Sequence, residues 1–138
     1  MKPNEHGGGR RRAPRFPADL PYRLYVGDGL AAEGRLNDLS MTGAAFSSPL
    51  PVTAPTAVLR LLDPAGQWQL DLPVTILACH PDPLGGHFIR VKFHLDLETA
   101  RPLAYVVTHL RQQFARSQAR VAADRVGPYR RAHLKRQP

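Results

Sequence analysis

The 138 residues, 43% of them hydrophobic, suffice for one domain with a modest core and tails; no run approaches the roughly 18 apolar residues of a membrane span. The lone Cys79 excludes an internal disulfide framework, and its place in the apolar run Val74-Thr75-Ile76-Leu77-Ala78-Cys79 reads as a buried, inert thiol. The net charge of +8 is uneven, with five Lys/Arg against one acid in residues 1–15, five against nine in 16–100 and nine against one in 101–138, so the body is mildly acidic and unlike a uniformly basic nucleic-acid domain.

Residues 1–9 are polar, end in three glycines and have no signal-peptide core, so they read as a disordered leader of a free-standing cytoplasmic protein. Arg10-Arg11-Arg12-Ala13-Pro14-Arg15 follows, and Pro17 and Pro21 keep this arm extended. Strands are predicted at Tyr22–Val26 and Ala31–Leu39, joined by a tight turn at Gly27-Asp28-Gly29. The loop Ser40–Gly43 leads to a third strand, Ala44–Ser47, before Pro49, Pro51 and Pro55 break the chain. A fourth strand, Ala57–Leu62, runs into Asp63-Pro64-Ala65-Gly66, a type I turn by its Pro and Gly positions. The fifth strand, Trp68–Cys79, contains Pro73, which predicts a bulge or a split there. After the loop Asp82–Gly86, the sixth strand, His87–His94, alternates Ile89, Val91 and Phe93 with polar residues, as a barrel wall with one dry face does.

Residues Leu97–Ala100 lead into a helix with Pro102 at its first position. Leu103, Val107, Leu110, Phe114, Ser117 and Val121 form one stripe, widened by Val106, while Arg111, Arg116 and Arg120 fall on the other face. Leu103, Val106, Val107 and Leu110 are expected to cover an open end of the barrel. Gly127-Pro128 is expected to stop the helix. The predicted organisation is therefore a leader (1–9), a domain (10–124) and a basic tail (125–138). The fold class is mainly β, a small barrel of short strands with a C-terminal α-helix.

Two stretches carry the chemistry. Arginine offers a planar fork of donors that matches a phosphate or the outer edge of a guanine, and the arm concentrates it at Arg10, Arg11 and Arg15. In Asn37-Asp38-Leu39-Ser40-Met41-Thr42-Gly43, Asp38 can accept from guanine N–H groups and Ser40 can donate to an oxygen. Gly43 lets the backbone turn and a flat ligand approach. Together they describe a site for an anionic ligand with guanine-like edges.

The two runs resemble the signature of the PilZ domain family, R-x-x-x-R followed by D/N-x-S-x-x-G. Arg11 and Arg15 fit the first, and Asp38, Ser40 and Gly43 the second. The resemblance implies a six-stranded antiparallel barrel that binds cyclic di-GMP, with Arg11 and Arg15 gripping phosphates and guanine edges and Arg10 contributing less. Asp38 is assigned to a guanine edge, Ser40 to a phosphate or base, and Gly43 to backbone shape. Asp38 is also expected to pair with an arginine of the run. The implied protein is a non-enzymatic sensor or adaptor whose arm orders on the ligand and which regulates an unidentified effector protein. Self-association through the helix is a further expectation.

Other classes fare less well. Ser40 lacks a nucleophile elbow, because Asp38 and Thr42 stand where the flanking glycines belong. His87 and His94 fall on opposite faces of one strand, and Cys79 and His80 do not complete a zinc spacing. No catalytic residue, metal or cofactor is assigned. A basic nucleic-acid module is the alternative reading, disfavoured by an aromatic content of only 7%. A ligand-free PilZ-like scaffold is the other.

Overall fold

The computed structural model describes residues 13–135, with side chains through Asp124. Alternating apolar residues set the sheet. Phe16, Ala18 and Leu20 point inward between Pro17, Asp19 and Pro21, and the chain pairs from the start as β1 (Phe16–Pro17) and β2 (Pro21–Val26). The turn Gly27-Asp28, with Gly27 at φ +60°, reverses it into β3 (Gly29–Leu39). Then come β4 (Gly43–Ser48), β5 (Thr56–Leu62), β6 (Gln69–Pro81) and β7 (His87–Phe93).

All pairings are antiparallel in the order β3-β2-β5-β6-β7-β4, and β4 returns to β3, so six strands close a barrel as expected. The seventh, β1, was not expected; it pairs with β3 beyond the end of β2. Leu24, Leu39, Phe46, Leu59, Leu61, Leu72 and Ile89 fill the interior. Each such buried side chain contributes about 1.5–3 kcal/mol. Outside the barrel, Arg60 and Asp71 face each other across β5 and β6 in a bidentate pair, with the guanidinium over the Tyr25 ring.

Pro73 neither splits β6 nor bulges it. Its carbonyl accepts from His94 N–H just beyond the end of β7, so its missing donor faces the place where that ladder stops. The irregularity lies instead at Leu77, between the pairs Ile76–Val91 and Ala78–Arg90. Asp63-Pro64-Ala65-Gly66 closes as the expected turn, Gly66 N–H donating to Asp63 C=O at 2.9 Å.

The helix α1 (Leu97–Lys135) differs from expectation at both ends. It begins five residues before Pro102, because Asp96 accepts from Thr99 N–H at 2.9 Å while Thr99 Oγ1 accepts from Asp96 N–H at 3.0 Å. This reciprocal cap outweighs the one bond that Pro102 removes, and the affected Glu98 is exposed to water. At the other end the backbone stays helical through Gly127-Pro128, where a basic tail from residue 125 was expected. The helix formers on both sides carry the helix across a single missing hydrogen bond. Leu103, Val106, Val107 and Leu110 are buried and plug one end of the barrel, and Phe114 packs on Phe16 with ring centroids 6.1 Å apart.

Candidate functional site

Register assembles the site. Phe16 pairs with Leu39 and Pro17 with Asp38, so the residue before β1 arrives at the C-terminal end of β3. Arg15 Nη1 there donates to Asp38 Oδ1 at 3.0 Å, and both side chains remain about one-third exposed. The expected pairing of Asp38 with an arginine of the run is thus made by Arg15. Ala18 N–H donates to Asn37 C=O, and Leu36 N–H to Leu20 C=O, which lash the rest of the arm to β3. Asn37 itself lies at a register shift between β3 and β4, which turns Asp38 toward the rim. Arg10, Arg11 and Arg12, like the leader, lie outside the described residues.

Ser40, assigned from sequence to a phosphate or base, is turned into its own loop. It is fully buried. Its Oγ accepts from the N–H groups of Thr42 at 3.1 Å and Gly43 at 3.2 Å, and its proton faces Gly43 C=O or Thr42 Oγ1. Ser40 N–H also donates to Gly43 C=O at 2.9 Å. The hydroxyl is spent on holding the loop, and no face is open to a ligand. Gly43 is needed for close approach rather than for an unusual φ. A Cβ there would lie 2.1 Å from the Val91 carbonyl oxygen of β7, so the close neighbour is the barrel wall.

The loop conformation lifts Met41 out beside the arm. A cavity of about 230 Å³ is lined by Ala13, Pro14 and Phe16 of the strap, Met41 of the loop, and Ala104, Val107, Thr108 and Arg111 of α1. Arg111 was placed on the solvated face by sequence. Its i+4 spacing from Val107 is the signal that puts it at the edge of the buried stripe instead. Cys79, expected to be buried, is half-buried, and its Sγ accepts from Val52 N–H at 3.5 Å. Among the described residues no group of three His, Cys, Asp or Glu side chains gathers to hold a metal, and no helix is long and apolar enough to cross a membrane.

A closed six-stranded barrel with a helical plug and an arginine-bearing strap on its rim defines a class, and comparison with known proteins gives it a name. The PilZ domain profile matches residues 9–121, and the chain belongs to the PilZ domain family. No curated protein matches. Among solved structures, the PilZ domain with c-di-GMP of YcgR from Escherichia coli superposes with a TM-score of 0.60 at 18% identity, covering 80% of this chain and 97% of that one. The K. pneumonia MrkH–c-di-GMP complex gives 0.61 at 20% identity, covering 78% and 55%. The Bacillus subtilis inhibitor of motility MotI/DgrA gives 0.59 at 15% identity, covering 75% and 52%. The chain therefore spans about half the length of the MrkH and MotI chains. At these identities the likeness is one of fold.

Proposed function

We propose that this domain is a non-catalytic receptor for cyclic di-GMP that passes ligand binding to an effector protein. The observation that carries this reading is the Arg15–Asp38 pair, which joins the two signature runs at an accessible rim. Two PilZ proteins of the same fold, YcgR and MrkH, were solved as c-di-GMP complexes, which supports it. Arg10, Arg11 and Arg15 supply donors to phosphates and guanine edges, and Asp38 accepts from guanine N–H groups. Ser40 and Gly43 fix the loop that presents Asp38.

An ion pair as exposed as Arg15–Asp38 contributes at most about 1 kcal/mol. A charge-assisted bond to a phosphate is worth about 1.5–3 kcal/mol. Ligand can therefore take Arg15 from Asp38 at small cost. The strap from Arg15 onward is already tied to β3, so the switch there is an exchange of partners rather than folding. The exposed Arg116 and Arg120 on the helix make an acidic surface a suitable effector.

Titration calorimetry with cyclic di-GMP tests the reading. Arg15→Ala and Asp38→Ala should each weaken binding about tenfold or more, and GTP should bind poorly. Silence of the wild-type chain at high micromolar nucleotide, or an equal loss on Lys135→Ala, would overturn it.

A further inference from the structure

We infer that the groove between the strap, the β3–β4 loop and α1 is a subsite for one guanine base, with Arg111 on the base's O6/N7 edge; this rests on the cyclic di-GMP reading above. The cavity of about 230 Å³ suits one flat bicyclic ring. Pro14 and Phe16 of the strap, Met41 of the loop and Val107 of the helix give the groove apolar surfaces on which a base can pack. Phe16 is held in place by Phe114 behind it, which makes that wall preformed. Polar groups come from the helix alone, as the Thr108 hydroxyl and the Arg111 guanidinium.

Helix geometry explains the placement. Leu103, Val106 and Leu110 point into the barrel, while Ala104, Val107, Thr108 and Arg111 form the adjoining stripe that faces the strap. Arg111 enters none of the four ion pairs made among the described residues, so its donors are uncommitted to a carboxylate. A guanidinium beside apolar walls matches the paired acceptors O6 and N7 of guanine and meets an opposing amine on adenine. The groove adjoins the segment that carries Arg15, so a ligand whose phosphates engage the arm has a base within reach of it. The subsite thereby adds base selectivity from the helix to an arm that recognises mainly charge.

The test is calorimetric titration of the full chain with cyclic di-GMP and cyclic di-AMP, with thermal midpoints measured for every variant. Arg111→Ala should weaken cyclic di-GMP by about tenfold or more, the usual worth of a bidentate arginine–guanine pair. Its thermal midpoint should stay close to that of the wild type. Arg111→Gln, which pairs better with adenine, should narrow the preference for cyclic di-GMP over cyclic di-AMP. Thr108→Tyr, which fills the groove, should also weaken binding, whereas Arg120→Ala farther along the helix should not. Wild-type binding that survives both Arg111→Ala and Thr108→Tyr overturns the subsite and leaves the receptor reading standing. A wild-type chain that binds neither nucleotide overturns both.

Discussion

Gly43 is the residue with least room to change. A methyl group there would meet the Val91 carbonyl at 2.1 Å, against backbone that cannot swing aside. Gly43→Ala should cost about 3 kcal/mol, read as a fall in the urea midpoint, whereas Gly66→Ala is strained only by its φ of +77°, since a Cβ there meets nothing within 4 Å. Tyr22 offers a pH test. Burial, then the Glu33 carboxylate, pushes its phenol from 10 up to about 12, and its hydroxyl donates to Ser47 C=O at 2.7 Å. The folded state keeps the proton longer than the unfolded chain. Its stabilisation is therefore complete below pH 10 and drains away between 10 and 12, by about 3 kcal/mol in all. Tyr22→Phe should be less stable at neutral pH by about 1 kcal/mol and should lose less on raising the pH, as denaturant titrations on either side of pH 10 would show. The sequence marked Asp38, Ser40 and Gly43 as one run, and Ser40 and Gly43 are bonded to each other in the loop that follows Asp38. It could not tell a hydroxyl aimed at a ligand from one folded into its own loop, because both uses call for the same short polar residue.

At the level of elements, alternation and turn residues made the six barrel strands legible to within two residues at each end. β1 was missed although Phe16, Ala18 and Leu20 alternate, because the intervening prolines suggest a loop, and an edge strand of two residues needs few N–H donors. The helix start was missed because Thr99, rather than Glu or Gln, completes the cap of Asp96. The Thr99 backbone N–H, then its hydroxyl, hold the Asp96 carboxyl below its usual range. The cap therefore acts above the ordinary carboxylate range and fades as pH falls through the lowered value. Asp96→Ala should lower the thermal midpoint at neutral pH by removing the cap, and melting curves of variant and wild type should converge in strong acid.

Across the whole molecule, the strap and the helix are separated by the full length of the barrel in sequence and meet through Phe16, Phe114 and the groove. No local pattern could announce that meeting, which is why Arg15 and Asp38 were legible as a motif and the groove between strap and helix was not. Phe114→Ala should speed amide hydrogen exchange in both the strap and the middle of α1 while leaving the barrel strands protected. The helix then continues well past its anchor: residues 111–124 are exposed, and the backbone is helical to Lys135. At 1.5 Å per residue, the rod beyond Phe114 is about 30 Å long. On the proposed function, with the fulcrum at the plugged barrel end, a nucleotide at the short arm would swing the long arm as a lever whose far end an effector reads.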